Sequence, residues 1–201
     1  MGKIFCFMGK SSSGKDTIFK IISEHFNNIY NIVPFTTRPI RDGEIDGVNY
    51  YFVNDNEFRQ MLEKGLIIEH RSYDTIHGIW TYFTSSLNID LENNNYMVIN
   101  TLEGYNDLKK YYGEDIVIPI YIEVENGLRL ERALKREMAQ KEPKYAEMCR
   151  RFLEDQVDFS DDKIKESNIN KKFINNDLTE CVLEIEREIN SILEKEKQYR
   201  I

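Results

Sequence analysis

The residues of this chain with the plainest chemistry are Gly9-Lys10-Ser11-Ser12-Ser13-Gly14-Lys15, two glycines and a lysine at the spacing of a phosphate-binding loop. Glycine lets the backbone fold tightly enough for successive N–H groups to point inward at one phosphate. A helix beginning there adds the positive end of its dipole, and Lys15 adds a full charge. The expected donor-phosphate contacts are therefore Gly9, Ser12, Ser13, Gly14, Lys15 and Thr17. Asp16 stands where such loops usually carry a magnesium-binding hydroxyl. Its carboxylate suits magnesium as a hard oxygen ligand, and it equally suits the first turn of a helix. Both readings of Asp16 stay open.

A second anion site is written at Thr36-Thr37-Arg38-Pro39-Ile40-Arg41-Asp42-Gly43-Glu44. Arg38 and Arg41 offer planar forks to a second phosphate, Tyr50 is a further donor, and Glu44 is placed to hold one arginine. A third basic group, Arg132 and Arg136 on one helix face with Arg151 beyond, suits the charge that spreads over oxygens during phosphoryl transfer. The alternative for each arginine is a solvated face with salt bridges to Glu131 and Glu137.

Those groups need a frame. The apolar run Lys3 to Met8 reads as a buried strand, and Ile18, Ile21, Ile22 and Phe26 give the following helix one apolar stripe. Tyr96 to Ile99 and Ile116 to Val124 read as further core strands, the second bent or near an edge because it carries Pro119. From Gly127 to Met138, the four-residue repeat of Leu130, Leu134 and Met138 predicts a helix packed along that stripe. A last helix, Thr179 to Lys195, sets Val182, Ile185, Ile189 and Ile192 on one side. Strands alternating with helices predict an α/β fold with a parallel central sheet. The polar, aromatic stretch from Phe35 to about Ser85 breaks the rhythm and reads as an inserted ligand-binding subdomain.

The chain has 201 residues with 35 acidic against 27 basic, a formal net charge of −8, which argues against a general nucleic-acid coat. Three widely spaced cysteines, Cys6, Cys149 and Cys181, suggest neither a disulfide framework nor a zinc site and fit a reducing interior. No apolar run is long enough for a signal core or membrane span, so a cytoplasmic, membrane-free protein is expected. Oligomeric state is left open.

With both motifs in view, the chain resembles guanylate kinases across nearly its whole length. The T-T-R-x-x-R-x-G-E-x-x-G-x-x-Y-x-F signature of that family is matched at Thr36, Thr37, Arg38, Arg41, Gly43, Glu44, Gly47, Tyr50 and Phe52. The resemblance implies a P-loop kinase fold with an inserted monophosphate-binding subdomain and a helical lid. Its parts would be a core of 1–34, 86–125 and 155–201, an acceptor insert of 35–85 and a lid of 126–154. It also implies transfer of a phosphoryl group from ATP, with Mg2+, to a nucleoside monophosphate, most simply GMP. Lys15, Arg38, Arg132, Arg136 and Arg151 would be catalytic, and Asn175, in the N-D-D-like Asn175-Asn176-Asp177, would lie by the adenine. Glu69 sits where the family places a base-reading carboxylate, but Pro34 replaces a base-contacting serine and has no donor. An ungapped placement of the next segment selects His77, whereas a short insertion selects Tyr82 and Thr84, and the second is preferred. Paired family aspartates are missing around Thr101, and the extra carboxylate at Asp16 is a candidate replacement near the metal. The rival readings are a kinase for another phosphorylated acceptor and a non-catalytic module that binds phosphopeptide.

Overall fold

The structure, a computed structural model, describes residues 1–75 and 78–199. The chain runs β1 (Ile4–Met8), α1 (Lys15–His25), β2 (Ile29–Asn31), β3 (Phe35–Thr36), β4 (Tyr51–Phe52), α2 (Asp55–Glu63), β5 (Ile67–Thr75) and β6 (Gly78–Ser85). It continues through β7 (Asn95–Ile99), α3 (Leu102–Tyr112), β8 (Val117–Glu123), α4 (Asn126–Met138), α5 (Tyr145–Asp158), α6 (Asp161–Glu166), β9 (Lys172–Ile174) and α7 (Leu178–Tyr199).

Five strands form a parallel sheet in the order β2-β7-β1-β8-β9, with β1 at its centre. All five residues of β1 are buried, and alternate side chains serve two different layers. Phe5 and Phe7 pack with Ile18 and Ile22 of α1 and Ile185 and Ile189 of α7. Ile4, Cys6 and Met8 pack instead with Leu102, Tyr105 and Leu108 of α3 and with Ile164 of α6. A strand covered on both faces must be apolar throughout, which is why β1 shows no alternation. The expected stripes on α1 and α7 are the buried ones.

Pro119 lies inside the sheet and pairs in register with Cys6 of β1. On its other side β9 reaches only Tyr121 to Glu123, so the proline occupies a stretch of β8 that β9 does not cover. A missing N–H is tolerated there because no ladder needs it.

Residues 35–85 build a second sheet, ordered β4-β3-β6-β5, with β5 and β6 antiparallel along most of their length. The two threonines before Arg38 tie it together. Thr36 Oγ1 donates to the Thr81 carbonyl at 3.0 Å, and the Thr81 N–H donates to Thr37 Oγ1 at 2.9 Å.

One expectation fails on α4. Leu130, Leu134 and Met138 are 40%, 41% and 63% exposed, and the buried face is Arg129, Ala133 and Glu137. Periodicity finds a stripe but not its partner. Here the inward face carries Arg129, paired with Asp155 of α5, and Glu137, which accepts from Gln140 Nε2 and the Lys144 N–H.

Candidate functional site

Because the five strands of the main sheet are parallel, their C-terminal ends open on one edge, where ligands of such sheets gather. The phosphate loop follows β1 there. Ser12 has φ 64° and Gly14 φ 87°, the two left-handed turns that curl the backbone. A side chain at Gly9 would drive a Cβ to 2.5 Å from the Ile122 carbonyl, so no larger residue fits. Gly14 is the N-cap of α1 and provides no side-chain cap, leaving the first-turn N–H groups available to an anion. The buried Ser12 Oγ and Ser13 Oγ have no hydrogen-bond partner among the described residues. Orphaned hydroxyls beside an uncapped helix start fit a phosphate.

Two outside elements brace the loop. Asn175, 3% exposed, takes the Glu123 carbonyl on its own N–H at 2.8 Å and donates from Nδ2 to the Ser13 carbonyl at 2.8 Å. Arg132 Nη2 donates to the Asn175 carbonyl at 3.1 Å. From α5, Asp155 Oδ2 accepts from the Ser11 N–H at 2.8 Å and pairs with Arg129 Nη1 at 2.8 Å. Arg129 lies 4.0 Å above the Phe152 ring, and its burial pulls its pKa down against the opposing effect of Asp155. Neither Arg129 nor Asp155 was singled out by spacing, since they meet each other and the loop only in the folded chain. Arg136 and Arg151 line a cavity of about 300 Å³ with Ser11, Ser12 and Arg129. Arg151 meanwhile donates to Glu147 at 2.8 Å, and with Arg150 holds that carboxyl down at about 2. Glu131 forms its ion pair with Lys135.

The second grip centres on Arg38, which is 3% exposed. Its Nε donates to Tyr82 Oη at 3.1 Å, Nη1 to the Pro39 carbonyl at 2.7 Å and to Glu44 at 3.0 Å, and Nη2 to Glu44 at 2.7 Å. The guanidinium holds the Glu44 carboxyl below its ordinary range and is itself raised by it. Glu44 thus fixes Arg38 so tightly that one of five N–H groups remains for a ligand, fewer than the open fork expected from spacing. Arg41 is exposed, with its guanidinium 5.9 Å over the Trp80 ring and its backbone N–H given to Glu44. Burial raises the Tyr50 hydroxyl, which keeps its proton to donate.

Of these residues Tyr50 and Tyr82 line a cavity of about 260 Å³ that also includes Pro34, Glu69, Thr84 and Thr101, whereas Arg38, Arg41 and Glu44 stand outside its lining. Thr84 Oγ1 donates to Glu69 Oε1 at 2.7 Å, across the register pair that joins β5 to β6. The geometry therefore brings Tyr82 and Thr84 to the cavity, while His77 lies outside the described residues. Thr101 serves as the N-cap of α3, its Oγ1 accepting from the Gly104 N–H at 3.2 Å. Arg71, Tyr73 and Asn100 join the lining without having been foreseen. Two-residue periodicity from Glu69 along β5 was the available signal for Arg71 and Tyr73. Lys15, from the end of the phosphate loop, lines this same cavity.

Among the described residues no group of three or more His, Cys, Asp or Glu side chains is arranged for a metal. Magnesium bound through phosphates asks for only one or two carboxylates. Asp16, with its exposed carboxylate 3.4 Å from Lys15 Nζ in the first turn of α1, fits that lesser demand. Among the described residues no helix is long and apolar enough to cross a membrane.

Comparison with known proteins agrees with this geometry. The family model described as "Guanylate kinase" matches residues 1–191. Guanylate kinase of Helicobacter hepaticus is 30% identical over 140 residues, which is 68% of this chain and 68% of that one. Guanylate kinase of Chlorobium chlorochromatii is 32% identical over 114 residues, 56% of this chain and 59% of its own. In three dimensions the chain is similar to the crystal structure of guanylate kinase from Anaplasma phagocytophilum, with a TM-score of 0.61 and 19% identity, over 94% of this chain and 85% of that one.

Proposed function

This chain belongs to the guanylate kinase family, and from that premise we propose that it transfers the γ-phosphoryl group of ATP to guanosine monophosphate, yielding ADP and guanosine diphosphate. The observation that carries the reading is Lys15, which rises from the phosphate loop and also borders the cavity of Glu69, Tyr50 and Thr84. Two nucleotides held in the two grips would meet end to end across that ammonium.

In this reading a phosphate oxygen of the acceptor attacks the γ-phosphorus while the bond to the β,γ-bridging oxygen breaks. The attacking oxygen is already ionised, so no general base is needed; positioning and charge perform the catalysis. The loop N–H groups of Gly9, Ser12, Ser13 and Gly14, with Lys15 and Thr17, hold the donor phosphates. Asn175 lies at the adenine end. Arg38, Arg41, Tyr50 and Tyr82 orient the acceptor phosphate, with Glu44 keeping Arg38 in place. Arg132, Arg136 and Arg151 gather over the transferring group and exclude water. Asp16 would hold Mg2+, which neutralises phosphate charge when bound. Residues 1–34, 86–125 and 155–201 act as the core, 35–85 as the acceptor insert and 126–154 as the lid, and the free cysteines suit the cytoplasm.

A panel of phosphorylated acceptors with ATP and magnesium tests the proposal. Guanosine monophosphate should give the highest kcat/KM, and Lys15→Ala should lower kcat by about 100- to 1,000-fold or more. A better acceptor that is another nucleotide or a phosphorylated sugar would redirect the reading. Binding of a phosphopeptide without turnover of any acceptor would favour the non-catalytic module.

A further inference from the structure

Residues two apart on a strand share a face, so Glu69 and Arg71 of β5 project together into the acceptor cavity. Their environments divide the work between them. Thr84 already donates to Glu69 Oε1, while Glu69 Oε2 stands 3.6 Å from Arg71 Nη2, just beyond hydrogen-bond length. Arg71 Nη2 donates to Asn100 Oδ1 at 3.2 Å, and its Nε sits 3.9 Å from Glu103 Oε2. Nε and Nη1 carry no hydrogen bond to the described residues, although the side chain is only 24% exposed. An arginine steered by carboxylates yet left with spare donors in a cavity is placed to receive a ligand's acceptor atom.

We propose that Arg71 reads the carbonyl oxygen of the acceptor base, making this chain selective for 6-oxopurines. The inference rests on the guanylate reading above and adds to it a specificity-determining residue. A carboxylate followed by a guanidinium presents acceptor, acceptor, donor in sequence. That order complements the guanine edge, whose N2–H and N1–H donate and whose O6 accepts. Pro34, on the wall of the same cavity, has no donor to offer O6. Thr84, on the same wall, spends its proton on Glu69. Arg71 fills the gap that the proline leaves.

Three acceptors distinguish the roles: guanosine monophosphate, inosine monophosphate, which keeps O6 and N1–H but lacks the 2-amino group, and 2-aminopurine riboside monophosphate, which lacks both O6 and N1–H. The effect of an Arg71 variant across the three, and not the wild-type preference alone, therefore isolates O6. The wild-type enzyme should favour guanosine monophosphate over the 2-aminopurine analogue by at least about 10-fold in kcat/KM. Arg71→Met should lower kcat/KM for guanosine and inosine monophosphates by about 10- to 100-fold while leaving the 2-aminopurine analogue within about threefold. An equal fall for all three acceptors would reduce Arg71 to a structural role and overturn the proposal. Equal use of guanosine monophosphate and the analogue by the wild-type enzyme would overturn it without any variant. Failure of the wild type to phosphorylate any purine monophosphate would instead reject the guanylate reading, and this inference with it.

Discussion

Glu44 shows how one acidic side chain governs a basic site. By accepting from both Nη atoms of Arg38 and from the Arg41 N–H, it fixes one guanidinium and the backbone three residues on in a single corner. Its carboxyl is held below the ordinary range in the folded protein, so the bond stabilises the fold above the unfolded glutamate value and is lost as pH falls through the folded value. Glu44→Gln should therefore melt below the wild type at pH 7, and the gap should narrow as pH drops below about 4. A gap that stays constant across a thermal-melt series from neutral to acid pH would contradict this. The same residue shows the limit of spacing arguments. Arg38 and Arg41 could be recognised as phosphate forks from their types, but how few donors Glu44 leaves on Arg38 depends on distances that only the fold sets.

The packing of α4 depends on a pair of charges, Arg129 and Asp155, while Leu130 and Leu134 face out. Arg129 is 1% exposed and Asp155 14%, so removing either partner strands the other in a largely dry place. Arg129→Ala or Asp155→Ala should each cost about 2–4 kcal/mol in urea denaturation, somewhat under the fully buried range because Asp155 keeps a little water contact. Combining Arg129→Ala with Asp155→Ala should cost less than the sum of the single changes, the signature of a shared interaction. Here the helix itself could be read from the sequence while its orientation could not. Leu130, Leu134 and Met138 have the right period, yet the opposite face is buried because Asp155, from the next helix, neutralises Arg129 and bonds to Ser11. The phosphate loop could be recognised in the sequence because its spacing lies in consecutive residues. Arg71, Asn100 and Asp155 were not, because each acts on partners far away in the chain.

At the level of the whole molecule, a net charge of −8 coexists with a cavity lined by Arg129, Arg136, Lys144 and Arg151. The fold thus concentrates positive charge where the parallel strands end. The order of those strands also governs when the site becomes complete. The loop after β1 is among the first segments made, but its brace, Asn175, lies 162 residues later, just after the outermost strand β9. A polypeptide still growing on the ribosome thus carries a finished loop sequence that lacks its keystone for most of synthesis. ATP should begin to shield such nascent chains from protease only once Asn175 has emerged, which arrested chains of increasing length would reveal.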